Sequence, residues 1–244
     1  MCSSDLKNSY LLDKNQTQNN KALERYKNYK LQPLKFKFPT FFNGKIPEIK
    51  LTKVVRAAVI REKGINSERE MAYMLKISGF EVKDVHMTDL VSGRETLEDI
   101  HMIVFPGGFS NSDVLGSAKG WAGAFKFNKT AKKSIDTFYK RKNTLSLGVC
   151  NGCQLMMELD LLYPQLKEKH PKMVENESSK FECTFVSLDI IKSNSIMLNG
   201  LEGSSLGIWS AHGEGKFNFK NQKINIAAKF KYDDYPGNPN GSDR

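Results

Sequence analysis

The sequence has 244 residues, 39% of them hydrophobic, which is enough to form one substantial core with room for an appendage. No apolar run is long enough to cross a bilayer, and the polar start of the chain lacks a signal-peptide hydrophobic region, so we expect no membrane association. Four cysteines are too few for a disulfide scaffold at this length, and a reducing cytoplasm is the expected location.

The net charge of +10 is concentrated in residues 1–53, which contain 11 Lys and Arg against 4 Asp and Glu. A basic arm of this kind can bind nucleic acid. Its lysines are scattered among apolar residues, however, and no zinc-finger or RNA-binding signature accompanies them. We therefore expect no nucleic-acid partner, and favour a linker or a segment lying against an acidic partner surface.

Residues 1–53 show no clean hydrophobic period, and the only helix predicted there is a short amphipathic one around Lys21–Tyr29. The following stretch, LQPLKFKFPTFFNGKIP, has the Pro and Gly punctuation of an extended connector. Its phenylalanines are too many for a free tail, so we expect them to pack on other residues.

From Val54 onward, short apolar strands alternate with helices. This alternation predicts an α/β fold with a doubly wound, mostly parallel sheet covered on both faces. Later segments lack long helices between them and predict added antiparallel strands. The predicted strands are 54–60, 80–87, 102–106, 145–149, 181–191, 206–212 and 223–232, and the predicted helices are 66–79, material within 114–142, and 152–162.

Two of the predicted strands end in glycine-rich turns, in MIVFPGGFS and LSLGVCNGCQ. Ligands of doubly wound sheets bind outside the carboxyl ends of the strands, so both turns are expected at the functional site.

The pair Cys150 and Cys153 has three possible interpretations. A structural zinc site needs more ligands than the scattered histidines and the remaining cysteines offer, and we expect no metal. A redox couple at a helix start is a second possibility. The third is a nucleophile elbow, because a strand is followed by Gly148, then Cys150, then Gly152, then a helix.

The elbow reading explains more of these residues than the other two. A tight turn leaves no room for side chains two residues before and after its apex, and it strains and exposes the apical residue. A helix N-terminus favours thiolate over thiol, and nearby backbone N–H groups can hold an oxyanion. Cys150 occupies the apex, and Cys153 is expected to be a small core residue.

Gly148-x-Cys150-x-Gly152-x-Gln154 resembles the nucleophile motif of the class I, triad-type glutamine amidotransferases. The stretches around PGGFSNSDVLGSAKGWAGAF, LSLGVCNGCQLMMEL, SAHGEGKF and YPGNPNGS resemble the C-terminal glutaminase domain of the phosphoribosylformylglycinamidine synthase family. The resemblance covers residues 54–244, which would form the amidotransferase domain, with a flavodoxin-like sheet. Residues 1–53 resemble the end of the synthetase region and the connector.

The resemblance implies that Cys150 attacks the side-chain amide of L-glutamine, releasing ammonia and leaving a thioester that water hydrolyses. It also implies that the synthetase domain of the same polypeptide is the partner that uses this ammonia, with ATP and Mg, to convert formylglycinamide ribonucleotide to its amidine; this part of the chain would need no cofactor. By the same resemblance, the backbone N–H groups of Gly108 and Asn151 form the oxyanion hole. Gln154 lies near the bound glutamine, and His212 lines its pocket or the synthetase contact.

The family takes its catalytic base from a His-x-Glu segment downstream of the Asn-Pro-Asn-Gly-Ser loop, and the sequence given reaches that loop and ends at Arg244. His212-Gly213-Glu214 has the same spacing, but it matches a segment that the family has in addition to its catalytic pair. His86 could face the site, although a lone histidine is more often a structural hydrogen-bonder. The expectation is therefore a piece of a larger enzyme with little glutaminase activity of its own.

Three other functions stay open at this point. The chain could be a pseudo-amidotransferase fragment that binds without turnover. It could be a cysteine-elbow hydrolase or chaperone of related fold, against which Gln154 and the HGEG stretch argue. It could also be a nucleic-acid binder that uses residues 1–53.

Overall fold

The computed structural model describes residues 3–30, 34–45, 48–49, 52–220 and 222–243. The chain forms two compact units. The parallel unit is Ile46–Glu168, and the antiparallel unit is Met1–Lys45 together with Lys169–Arg244. This division follows contacts in space and differs from the sequence boundary at residue 53, which stays a prediction. Cys2 lies outside the described residues.

Helices and strands follow one another in the parallel unit, whereas the antiparallel unit is mostly strands. The helices are α1 Ser3–Gln16, α2 Lys21–Asn28, α3 Glu68–Ile77, α4 Met87–Ser92, α5 Lys119–Phe127, α6 Lys129–Lys140 and α7 Asn151–Glu158. The strands are β1 Arg56–Arg61, β2 Glu81–His86, β3 Met102–Phe105, β4 Leu145–Gly148, β5 Lys172–Val174, β6 Glu182–Ile190, β7 Ser205–His212, β8 Lys216–Asn218 and β9 Ala228–Phe230. Within the part of the chain described, no helix has the length and hydropathy needed to span a bilayer.

The parallel unit contains a four-stranded sheet in the order β2-β1-β3-β4, with every neighbouring pair parallel. Side chains alternate between two apolar clusters along its central strands. Ala58 and Ile103 belong to a cluster completed by residues of α4, α5, α6 and α7, whereas Val59 and Val104 belong to a cluster completed by α3. Because successive strand residues point to opposite faces, the sheet is covered on both sides, and the predicted doubly wound fold is confirmed.

The antiparallel unit contains a sheet in the order β7-β6-β9 and a smaller pair of β5 with β8. Helix α2 is tied to β6 by a polar cluster around the buried carboxylate of Glu182. The Tyr235 hydroxyl donates to a carboxylate oxygen of Glu182 at 2.9 Å, and the Arg25 guanidinium is 2.8 Å from the same carboxylate and 4.9 Å from the Tyr235 ring centre. The added antiparallel strands were predicted correctly in type.

Helices α1 and α4 and the short strands β5 and β8 were not predicted, and two predicted elements are markedly shorter in the structure. Residues 3–16 form helix α1, which the sequence does not reveal because its polar and apolar residues do not segregate to opposite faces. The predicted strand 223–232 is reduced to Ala228–Phe230. Helix α7 ends at Glu158 instead of near residue 162, because the backbone becomes left-handed at Asp160, with a φ of 55°.

Candidate active site

Cys150 lies at a sharp turn between β4 and α7, with φ 52° and ψ −113°. The flanking glycines are required by close backbone contacts. A Cβ on Gly152 would lie 1.9 Å from the carbonyl oxygen of Phe105, and one on Gly148 would lie 2.6 Å from the carbonyl oxygen of Gly152. Any side chain at either position would push the turn apart, so the backbone strain at Cys150 is held in place by its surroundings.

The PGGF turn that follows β3 lies directly against Cys150. A Cβ on Gly107 would be 3.0 Å from the Cβ of Cys150 and 3.7 Å from its Sγ. Gly108 has φ 133°, and a Cβ there would lie 2.7 Å from the carbonyl oxygen of Gly64. The two glycine-rich turns therefore meet at one site at the carboxyl ends of β3 and β4, and Cys150 is only partly buried there.

The side chain of Asn151 connects the two turns. It is fully buried, and its Oδ1 accepts a hydrogen bond from the backbone N–H of Ser110 at 3.2 Å. Its Nδ2 donates to both carboxylate oxygens of Asp113 at 3.2 Å and to Oε1 of Gln154 at 3.1 Å. Gln154 is 5% exposed, so this network fixes the first turn of α7 from inside the protein.

Two backbone N–H groups remain available beside the cysteine. Within the described residues, neither the N–H of Gly108 nor that of Asn151 donates to a backbone carbonyl. The neighbouring N–H groups of Phe109 and Gly152 do donate, to Gly64 and Val149. A negatively charged oxygen held near Cys150 could therefore be bound without breaking an existing backbone bond.

The other cysteines differ from Cys150 in their surroundings. Burial, with the nearby Cys150 as a second cause, raises the pKa of the Cys153 thiol to about 12, so it stays protonated at neutral pH. Cys183 is exposed on β6 of the antiparallel unit. The His, Cys, Asp and Glu side chains of the described residues form no cluster that could hold a metal ion.

Neither histidine of the parallel unit is placed to act on Cys150. His86 caps α4 through Nδ1, which accepts from the backbone N–H of Thr88 at 3.2 Å. It ends β2, the edge strand opposite β4, and three strand spacings of about 4.8 Å put roughly 14 Å between these strands. His101 accepts from the backbone N–H of Arg56 at the start of β1, the other end of the sheet.

His212 ends β7 in the antiparallel unit, where polar side chains hold the following HGEG segment. Asn176 donates to the carbonyl oxygen of His212 at 2.6 Å and accepts from the backbone N–H of Gly215 at 3.0 Å. Asn240, from the Asn-Pro-Asn-Gly-Ser loop, donates to Asn176 at 2.7 Å. Burial lowers the pKa of His212, and its Nδ1 is buried without a hydrogen-bond partner among the described residues.

Sequence reasoning missed several residues that build these sites. Ser110 and Asp113 fix Asn151, and Asn176 fixes the HGEG segment. Ser110 and Asp113 lie in the stretch that follows PGGF, and this nearness to the predicted site was the one sequence feature that could have indicated their role. Asn176 lies in a loop with no motif, and only its burial, at 2% exposure, reveals its role.

An elbow cysteine on a doubly wound sheet, facing a Gly-Gly turn with two available N–H groups, has the architecture of a glutamine amidotransferase. Residues 54–244 match the family described as the CobB/CobQ-like glutamine amidotransferase domain. The chain belongs to this family.

Similar proteins of known name indicate which kind of amidotransferase this chain resembles. The chain is 46% identical over 206 residues to a probable chloroplastic/mitochondrial phosphoribosylformylglycinamidine synthase of Arabidopsis thaliana, covering 77% of this chain but 15% of that protein. It is 44% identical over 210 residues to a probable phosphoribosylformylglycinamidine synthase of Caenorhabditis elegans, covering 77% and 16%. The resemblance predicted from the motifs is confirmed, and the chain spans about a sixth of the length of these relatives.

A solved structure supports the fold. The solved structure of PurLQS from Thermotoga maritima superposes with a TM-score of 0.63 at 28% identity, covering 78% of each chain. The flavodoxin-like amidotransferase architecture is therefore the fold of this chain. The cytoplasmic location stays a prediction, since one relative carries an organellar name.

Proposed function

We propose that this chain is the glutaminase part of a phosphoribosylformylglycinamidine synthase. It would hydrolyse L-glutamine and supply the ammonia that a synthetase part uses, with ATP and Mg²⁺, to convert formylglycinamide ribonucleotide to formylglycinamidine ribonucleotide in purine biosynthesis. The observation that carries the proposal is the strained Cys150 facing the PGGF turn, with two backbone N–H groups beside it.

In the proposed reaction, the Cys150 thiolate attacks the side-chain carbonyl carbon of glutamine, and the carbonyl oxygen takes the negative charge. The N–H groups of Gly108 and Asn151 stabilise this oxyanion, each by on the order of 3 kcal/mol. As the intermediate collapses, the C–N bond breaks, the nitrogen takes the proton that the general base removed from the Cys150 thiol, and ammonia leaves behind a thioester. Water then attacks the thioester carbon, which releases glutamate and returns the sulfur, so one glutamine and one water give one glutamate and one ammonia.

Two further residues are proposed to serve the substrate. Gln154 lies one turn into α7, bonded to Asn151, and would border the bound glutamine while keeping Asn151 in place. His212 is proposed to serve glutamine binding, as the family resemblance implies; Asn176 holds its backbone, and burial lowers the pKa of its imidazole. No cofactor is needed for glutamine hydrolysis by this route.

The general base is proposed to come from outside the parallel unit. His86 and His101 are held by other bonds, at the far edge and the far end of the sheet. His170 of the antiparallel unit is fully buried, with its Nδ1 2.7 Å from the carbonyl oxygen of Pro171. With His212 assigned to binding, the 244-residue chain should turn over glutamine slowly, because a cysteine of this type needs a histidine to move protons. Sustained ammonia release that disappears in His212→Ala would contradict this assignment and make His212 the base.

The proposal is tested by covalent labelling with 6-diazo-5-oxo-L-norleucine, a reactive analogue of glutamine. Peptide mass mapping should find the label on Cys150, and excess L-glutamine should slow its incorporation. Cys150→Ala should abolish labelling, whereas the matched control Cys183→Ala, which removes an exposed thiol of the other unit, should leave it unchanged. An unlabelled Cys150 in the folded chain would favour a pseudo-amidotransferase that only binds.

A further inference from the structure

An exposed aromatic surface lies on the antiparallel unit, formed by the connector and the β6–β7 pair. Five of its rings are between 44% and 67% exposed, far more than large apolar side chains of a core would be. We call it the aromatic face, and its exposed members are Phe36, Phe38, Phe41, Phe42 and Trp209.

The aromatic face is ordered by contacts within the chain. Phe36 meets Phe185 edge-on at 6.1 Å between ring centres, and Phe185 lies 5.3 Å from Trp209. Gly207 makes room for both phenylalanines, since a Cβ there would be 2.4 Å from the Phe185 ring. The connector is pinned to β7 by paired backbone bonds of 2.9 and 2.8 Å between residues 37 and 205. Phe36 and Trp209 therefore already have fixed positions, which lowers the entropy that binding would cost.

The size of the aromatic face fits a protein interface. An aromatic side chain can bury 150–250 Å², so five rings about half exposed present roughly 500 Å² of apolar surface. That is near the upper limit for apolar patches on monomers and more than half of the ~800 Å² that one partner buries in a standard interface. Protein interfaces are enriched in Trp and Phe relative to the rest of the protein surface, and the aromatic face shares this composition.

The charges around the aromatic face select the partner. Lys35 and Lys37 alternate with the phenylalanines and are exposed, and neither forms an ion pair with a described residue. A second copy of this chain would bring lysines against lysines, whereas a partner with carboxylates around an apolar centre would complement them.

The ring arrangement argues against single-stranded nucleic acid, which combines basic grooves with freely accessible ring faces. Phe38 and Phe42 stack on each other at 5.0 Å with an interplanar angle of 28°, so each ring has one face already covered. The surface is therefore suited to side chains that pack between rings.

We infer that the aromatic face is the docking surface for a protein partner with an apolar centre and an acidic rim. The identity of this partner rests on the proposed function, under which the partner is the synthetase part of a phosphoribosylformylglycinamidine synthase.

Tryptophan fluorescence gives a direct readout of docking at this surface. The chain has two tryptophans, and Trp121 is fully buried while Trp209 is 66% exposed, so quenching by acrylamide reports on Trp209. Titration with the synthetase part of such an enzyme, added as a separate polypeptide, should shift the emission of Trp209 to shorter wavelength and protect it from acrylamide. Phe38→Ser and Lys37→Glu should each weaken binding at least tenfold. The control Tyr73→Ser changes a ring that is 62% exposed on α3 and should bind as the wild type does.

Several results would overturn the inference. One is wild-type affinity in both Phe38→Ser and Lys37→Glu. A second is a concentration-dependent dimer in sedimentation that Phe38→Ser abolishes, which would assign the surface to a second copy. A third is protection of Trp209 by a uridine oligonucleotide, which would assign it to nucleic acid.

Labelling of Cys150 separates the failure of this inference from that of the proposed function. If the glutamine analogue labels Cys150 while Trp209 stays open to acrylamide with the synthetase part present, the inference fails and the function stands. If docking depends on Phe38 and Lys37 while Cys150 is inert, docking stands and the glutaminase function fails.

Discussion

Gly152→Ala tests whether the elbow is held by the absence of side chains. The added methyl group would lie 1.9 Å from the carbonyl oxygen of Phe105 and 2.7 Å from its Cβ, well inside any allowed contact. Phe105 cannot give way easily, because it is fully buried and packs edge-on against Trp121 at 5.7 Å and Phe125 at 6.2 Å. Either α7 or the end of β3 must move by more than 1 Å.

Overpacking of a dense core costs about 1–3 kcal/mol, and a clash with backbone belongs at the upper end, so we expect a loss of about 3 kcal/mol. With a urea dependence of 1–3 kcal/mol per molar, the unfolding midpoint of the parallel unit should fall by ~1–3 M. Trp121 fluorescence in a Trp209→Phe background follows this unit alone, since Trp121 is buried in its core. Labelling of Cys150 by the glutamine analogue should also be lost.

Gly123→Ala is the matched control, because Gly123 is a helical glycine of α5 in the same unit. A Cβ there meets only the Phe127 ring, at 3.8 Å. Replacing a helical glycine by alanine should stabilise the unit by about 0.5–1 kcal/mol and leave labelling unchanged. The steric explanation is wrong if Gly152→Ala unfolds at the same urea concentration as the wild type and still labels.

Other expected outcomes concern burial and charge. Asn151→Leu should lower the free energy of unfolding of the parallel unit, measured in urea, by about 2 kcal/mol and slow labelling of Cys150. The substitution leaves the buried groups that bond to the Asn151 amide without a hydrogen-bond partner. Iodoacetamide at pH 8 should modify Cys150 and spare Cys153, whose pKa of about 12 leaves roughly one thiolate in ten thousand; equal modification would refute the raised pKa. Burial alone would raise the pKa of Asp13, but hydrogen bonds from Lys180 and Thr17 outweigh it and lower that pKa. A carboxyl group whose pKa is lowered by folding stabilises the fold at pH values above its unfolded-state pKa, and this stabilisation is lost as the pH falls. Lys180→Met should therefore move acid unfolding, followed by circular dichroism, to higher pH. An unchanged midpoint of acid unfolding would show that the Asp13–Lys180 interaction does not contribute to stability.

The sequence was most informative where one local rule decides the structure. The run MIVF reads as a buried strand because all four residues are apolar, and all four are buried. The Gly-x-Cys-x-Gly spacing identified the elbow from five consecutive residues, although the backbone that excludes a side chain at Gly152 is that of Phe105, 47 positions earlier. In such cases local sterics and burial point to the same structure.

Most of the remaining features depend on contacts between residues distant in sequence. Asn151 reads as an ordinary first residue of a helix until Ser110, 41 positions earlier, is seen to bond to it. His86 appears as part of a strand that continues to Met87, but its imidazole caps α4 and ends the strand. The predicted strand 223–232 is mostly irregular because only three of its residues find a partner on β6. Strand-pairing partners are set by the fold and have no signature in a single sequence, whereas the cap of α4 is a local contact of His86 with Thr88 and Asp89 that the strand pattern concealed.

The two halves of the proposed chemistry are held by different kinds of interaction, and this has a consequence for their tolerance of substitution. Cys150 is positioned by contacts between backbone atoms at Gly148 and Gly152, where any added atom does harm. The HGEG segment is positioned by the amides of Asn176 and Asn240, where loss of a donor does harm. A substitution series at the glycines should therefore follow side-chain volume, with Ala milder than Val. At Asn176, a leucine of similar size should be as harmful as alanine, because hydrogen bonding and not volume decides the outcome.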